Sequence, residues 1–268
     1  MRSSPLIRLL IRLRRALADA AGAWVFYSVL PGWPALTPGF RRIARFAPLV
    51  GAVIGGLEAG VWWLTASWLP PEARAALVLV LGLALSGGLH ADGVMDTADG
   101  LAAGERALAA MEDSRVGAAG VQAFVQLLLL KFAGLVCLAV LPAAAAALAI
   151  VSTAWSARIA PLLAIREFTY LREGGTAGFH RRHRRGLGRE LVPALLLAPL
   201  LLAGLPVTWP SPAAALWALG LSLLPVLLVP RWIGHRLGGH CGDSYGACVE
   251  WCEALGLLVM GLVARAAA

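Results

Sequence analysis

AGVQAFVQLLLLKFAGLVCLAVL, residues 119–141, carries a single charge, Lys131. A bilayer's hydrocarbon core needs about 20 apolar residues from a crossing helix, so this stretch is long enough to span. Working outward, residues 47–69, 75–91, 143–165 and 213–229 are apolar windows of similar or slightly shorter length. Residues 191–207 form a sixth, short and interrupted by Pro193, Pro199 and Pro206, and residues 254–264 a seventh that is shorter still. The expectation is an all-α, polytopic membrane bundle of six or seven transmembrane helices, folded as one domain over 1–268, with 1–45 as a cytoplasmic or interfacial segment.

Composition agrees. Of 268 residues, 59% are hydrophobic and only 14% charged, with a mean hydropathy of +0.76. A water-soluble domain of this size carries more charge on its surface. The basic start is followed by no single short apolar core with a small-residue cleavage site, so no secretory signal is expected. The net charge is +8, and Lys131 is the one lysine. On a membrane protein such charge belongs to cytoplasmic loops near anionic lipid; nucleic acid is the poorer reading. Segments 1–46, 92–118, 166–190 and 230–253 hold 19 arginines, whereas the intervening loops hold only Arg74. The imbalance places the first set in the cytoplasm. Residues 2–17 read as a basic amphipathic helix on the membrane surface, with Leu6, Leu9, Leu10 and Leu13 on one face. The four cysteines, Cys137, Cys241, Cys248 and Cys252, form no CxxC pair, which argues against a zinc knuckle or redox motif.

The chemistry concentrates in GGLHADGVMDTADG, residues 87–100. Asp92, Asp96 and Asp99 are spaced i, i+4, i+7 and share one helical face. Three unpaired carboxylates so close repel one another, and a divalent cation removes that cost. Oxygen ligands alone point to magnesium, with manganese as the alternative, rather than zinc. A solvated helix end would account for Asp92 but not for three acids beside an apolar span. His90 is either a general base or a boundary residue. In MEDSRVGAAG, residues 111–120, Asp113 is a candidate base and Arg115 a candidate phosphate clamp, while Asp113 or Ser114 can also cap the next helix.

A second acidic stretch, GGHCGDSYGACVEWCE at 238–253, sets Asp243 and Glu250 seven apart, which allows a phosphate or second metal site. Both acidic stretches flank spans on the same membrane face, so they are expected to share one site. Arg158, about 10 Å inside its helix at 1.5 Å per residue, is expected to reach toward the aspartates. Glu58 and Lys131, near the middle of different spans, are expected to pair.

Taken together, HADGVMDTADG, DSRVG at 113–117, Lys131, Arg158 and GDSYGACVE at 242–250 resemble the cobalamin synthases, the adenosylcobinamide-GDP ribazoletransferases. Leu30-Pro31 and the run from Arg41 to Gly51 also fit. Ala157 separates Ser156 from Arg158 where relatives often have adjacent Ser-Arg. The resemblance implies a multi-pass enzyme of the bacterial inner membrane with its site facing the cytoplasm. Its partners would be adenosylcobinamide-GDP, α-ribazole or its 5′-phosphate, membrane lipid, and other enzymes of nucleotide-loop assembly. Asp92, Asp96 and Asp99 would hold Mg²⁺. Arg158, Asp243 and Glu250 would complete the binding of the diphosphate substrate, and Asp113, His90 and Arg115 would serve the chemistry. Two rival readings exist. A CDP-alcohol phosphotransferase needs an Ala-Arg after the first DG, which this chain lacks. An ion-coupled transporter needs repeated halves and discontinuous helices near the midplane, whereas here the acidic motifs sit at one membrane face.

Overall fold

A computed structural model describes residues 5–172 and 177–268, apart from the side chains of Pro5 and Arg181. The described chain is helical, with one isolated bridge between Tyr170 and His240. The first helix, α1 (Pro5–Tyr27), is longer than the expected amphipathic segment. Its first half exposes Leu6, Leu9, Leu10, Leu13 and Leu17, whereas Asp19, Ala21, Ala23 and Tyr27 are buried against the bundle. The surface helix and its anchor are therefore one element. Residues 2–4 of the expected helix lie outside the described residues.

A short 3₁₀ turn (Ile43–Phe46) leads into α2 (Ala47–Leu64), followed by α3 (Pro71–Ser86), α4 (Leu89–Ala103) and α5 (Ala107–Glu112). Next come α6 (Ala118–Leu138), α7 (Ala143–Ala157), α8 (Ala160–Glu167) and the short α9 (Gly178–His183). The chain closes with α10 (Leu187–Leu195), α11 (Ala198–Thr208), α12 (Pro212–Ser222), α13 (Leu224–Leu237) and α14 (Gly242–Ala267). Five stretches are long and apolar enough to cross a membrane: Ile43–Leu64, Ala118–Leu138, Ala143–Glu167, Pro212–Leu237 and Gly242–Ala267. Two bent pairs raise the number to as many as seven. The protein is thus a polytopic helical membrane protein.

The bends have identifiable causes. Between α3 and α4 the axis turns by 91°, at Gly87 and Gly88, whose φ values of 63° and 73° favour glycine. Between α10 and α11 the turn is 49°, with Pro193 before the break and Pro199 after it. The prolines that shortened the sixth window thus bend a helix pair rather than end it.

Burial ranks the spans. Within α7–α8 and α14 the apolar windows are 78% and 67% buried inside the protein, against 28% for α6 and α12–α13. The first two are central, and the others present most of their surface outward. α2 packs along α7, and α14 packs along both α6 and α4. Trp62, Leu135, Leu138, Ile150, Leu205 and Met260 fill the main core.

The seventh window, 254–264, proves to be the second half of α14, which begins at Gly242. Hydropathy missed the first half because Glu250 and Glu253 lie in it. Both are buried and neutralised: Lys131 Nζ donates to Glu250 Oε2 at 2.6 Å and to Glu253 Oε1 at 2.9 Å. Arg158 Nη1 donates to Glu253 Oε2 at 3.0 Å and to Ala154 O at 2.7 Å. The segment taken as a loop, 230–253, is consequently almost all helix. The expected Glu58–Lys131 pair is also corrected. Lys131 turns to α14, where two carboxylates compensate its desolvation better than one. Glu58 packs its carboxylate over Gly82 and borders the same charged group.

Candidate active site

Two helices build the site by crossing closely. Gly93 of α4 lies on the backbone of Asp243, so a Cβ there would collide with the Asp243 carbonyl. Facing it, Gly246 of α14 would place a Cβ 3.2 Å from His90 Cα. Small residues at a crossing let backbones touch, and here the touch brings the two acidic stretches together. Asp243 occupies the first turn of α14. Asp96 is within electrostatic reach of Asp92, Asp243, Arg172 and Asp99.

Between the two helices a cavity of about 120 Å³ is lined by His90, Asp92, Arg158, Asp243 and Tyr245, with Tyr27 of α1 and His180 of α9 on its far side. His90 is buried and its Nδ1 has no hydrogen-bond partner. Arg158 reaches the cavity as expected, although its Nη1 is bound to Glu253 rather than to an aspartate. His180 lies among aromatic rings, and burial pushes its imidazole down to about 4. It is neutral at physiological pH.

The three aspartates of α4 differ. Asp92 is exposed and Asp96 half-buried, and neither makes a hydrogen bond or ion pair among the described residues. Asp99 is engaged on both oxygens: Gly117 N donates to Oδ2 at 2.7 Å and Gly120 N to Oδ1 at 2.8 Å. It caps α6 and fastens the 113–117 loop against α4. A carboxylate suits that position, because the free N–H groups and the helix dipole there both favour negative charge.

On that loop, Asp113 and Arg115 pair with each other. Arg115 Nη2 lies 2.6 Å from Asp113 Oδ2, and Arg115 Nε donates to Oδ1 at 3.0 Å. The hydrogen bonds from Arg115 hold the Asp113 carboxyl down at about 2. Glu250, expected at the site, lies instead inside the bundle on Lys131.

Sequence reasoning missed two residues. Arg172 enters from the segment after α8: its Nη1 lies 2.8 Å from Asp243 Oδ2, its Nε 3.5 Å from Glu112 Oε1, and its Nη2 donates to Met111 O at 3.1 Å. Nothing distinguishes it locally from the other arginines of 172–190, and residues 173–176 lie outside the described residues. Glu253 is the second, and its signal was available in its i, i+3 spacing from Glu250.

The donor set fits a magnesium ion shared with a phosphate substrate better than a preformed cage. Among the described residues no three His, Cys, Asp or Glu side chains converge tightly enough to enclose a metal. Magnesium commonly takes one or two carboxylates and leaves its remaining positions to phosphate and water. Asp92 and Asp96, free of other partners, meet that requirement, and Arg172 is at hand for phosphate oxygens.

Fold and site together define a polytopic helical membrane protein in which α4 and α14 meet at an acidic cavity, with Arg172 paired to its Asp243. Residues 19–261 match the model of the cobalamin-5-phosphate synthase family, and the chain belongs to that family. It is 52% identical over 259 residues to an adenosylcobinamide-GDP ribazoletransferase of Prochlorococcus marinus (strain MIT 9303), covering 93% of this chain and 97% of the relative. The protein of that name from Thermosynechococcus vestitus is 42% identical, over 91% of this chain and 96% of its own length. No solved structure matches the chain.

Proposed function

We propose that this chain joins adenosylcobinamide-GDP to α-ribazole or its 5′-phosphate, releasing GMP and forming adenosylcobalamin or its 5′-phosphate. The observation that carries this reading is the meeting of Asp92 from α4 and Asp243 from α14 at one cavity, with Asp96 within electrostatic reach of both. A diphosphate flanked by a corrinoid and a guanosine needs both acidic stretches and the arginines around them.

Asp92 and Asp96 are the carboxylates assigned to Mg²⁺, with Asp243 beside them. Bound there, the metal supplies charge neutralisation for the diphosphate. Arg172, paired with Asp243 and near Glu112, would take a phosphate oxygen, and Arg115 would take another from the loop that Asp99 fastens. A ribose hydroxyl oxygen forms the new bond to the corrinoid-linked phosphorus while the bond from that phosphorus to the GMP oxygen breaks. The hydroxyl proton passes to a base. His90 fits that role better than Asp113 on geometry: it lines the cavity and its Nδ1 has no hydrogen-bond partner among the described residues, whereas the Asp113 carboxylate is taken up by Arg115. Asp113 serves by orienting Arg115.

The arginine imbalance supports a cytoplasmic site in a bacterial inner membrane, where soluble nucleotide substrates are available. A cysteine at the exposed Arg236 position should react with an impermeant thiol reagent only from that side; labelling from outside would refute the orientation. The reaction is tested by incubating the detergent-purified protein with adenosylcobinamide-GDP, α-ribazole and Mg²⁺. GMP and a cobalamin product should appear together, cease with EDTA and return with Mg²⁺ or Mn²⁺. Failure to release GMP with intact substrates would refute the assignment.

A further inference from the structure

Away from the acidic cavity, a second and larger one of about 490 Å³ opens between the first half of α1 and residues 39–45. Its wall is basic and apolar at once: Arg12, Arg15, Arg41 and Arg45 alternate with Leu9 and Leu13. The nearby acids are already engaged. Asp19 accepts from Arg41 N at 3.1 Å, and Glu190 accepts from Arg42 Nη2 at 2.7 Å. Among the described residues no carboxylate pairs with Arg12, Arg15, Arg41 or Arg45. The Nε of Arg45 is buried without a hydrogen-bond partner, and its guanidinium lies over the Phe46 ring, 5.1 Å from the centroid. A buried donor left without an acceptor is costly. Among the described residues, Arg12, Arg15, Arg41, Arg42, Arg45 and Arg185 line the cavity against a single lining carboxylate, Asp19, so positive charge is in excess there and repels. An anion in the cavity removes both costs.

We propose that this cavity binds the phosphate of an anionic phospholipid. The chemistry is that of phosphate held by guanidinium groups. A lipid is favoured over a soluble phosphate by the leucines. Leu9 and Leu13 line the cavity and continue into the exposed apolar face of Leu6, Leu10 and Leu17, which fits acyl chains and not a nucleoside. The location agrees, because a basic amphipathic helix lies at headgroup level. Occupancy would tie α1 to the 41–45 segment, which leads directly into α2. This binding is independent of the transfer reaction proposed above.

The test is native mass spectrometry of the full chain in detergent, titrated with phosphatidylglycerol or with phosphatidylcholine of the same acyl chains. The wild type should retain phosphatidylglycerol preferentially. The triple variant Arg12→Gln, Arg15→Gln, Arg41→Gln should lose about tenfold or more in apparent affinity for it, since each charge acts close to an anionic group. Arg41→Gln alone, on an exposed side chain, should shift in the same direction and serves if the triple variant does not fold. Equal retention of the two lipids, or unchanged preference in these variants, would overturn the proposal. So would displacement of phosphatidylglycerol by inorganic phosphate or by α-ribazole 5′-phosphate at comparable concentration, which would assign the cavity to a soluble phosphate.

Discussion

At the scale of single residues, three aspartates in one short motif divide their labour. Asp99 holds α6 and the 113–117 loop through two backbone N–H groups, so its loss should appear first as lost stability. Asp99→Ala should cost about 1–2 kcal/mol, in the range of a lost helix cap. Asp99→Ser should recover part of it. Thermal unfolding in detergent checks this, and an unchanged midpoint in the alanine variant would rule the cap role out. The proton acceptor makes a second case. Held at about 2 by Arg115, Asp113 stays ionised across the working pH range and cannot set an acidic limb of the rate. Asp113→Asn should therefore lower the rate without moving that limb, while His90→Gln, which removes the assigned proton acceptor, should lower the rate across the whole pH range. A limb that moves in the Asp113 variant would restore Asp113 as the base. The acids at 92, 96 and 243 were legible because glycines and an apolar span isolate them in the chain. Arg172 was not, because what distinguishes it is contact with Asp243 and Glu112, residues remote in sequence.

At the scale of elements, the site depends on the crossing of α4 and α14 at Gly93 and Gly246. Gly93→Ala should force the helices apart at Asp243, with overpacking costing about 1–3 kcal/mol. Activity should fall further than stability alone explains, because the carboxylates would separate. A kcat within twofold of wild type would show that this contact does not position the site. The sequence announced the apolar spans, since their length and hydropathy are local properties. It did not announce that α14 starts at Gly242. Glu250 and Glu253 made that half resemble a loop, and only Lys131 and Arg158, contributed by α6 and the α7–α8 junction, make their burial tolerable. The Gly87–Gly88 bend was likewise hidden. Two adjacent glycines permit a 91° turn, but the packing of α4 on α14 selects it.

For the whole molecule, the buried group of Lys131, Arg158, Glu250 and Glu253 fastens α6, α7 and α14 around the core beneath the acidic cavity. Removing one member strands a charge. Glu253→Ala should destabilise by about 3–5 kcal/mol, the range for breaking a buried ion pair, without abolishing Mg²⁺ dependence in protein that remains folded. An unfolding midpoint equal to wild type would mean that the group contributes nothing to stability. Counting each bent pair as one crossing gives seven, and that count accounts for the meeting of the two acidic stretches. Each lies at a bundle end reached after an even number of crossings from the amino-terminal side, so both come to the same face.

The central claim is that α4 and α14 contribute to one metal–phosphate assembly, and a double-mutant cycle on GMP release measures it directly. Asp96→Asn and Asp243→Asn should each lower kcat/KM by about a hundredfold, and the double variant by little more than either alone, because residues acting as a unit are not additive. A double variant slowed by about the product of the two single effects, near ten-thousandfold, would mean independent sites and would contradict the account.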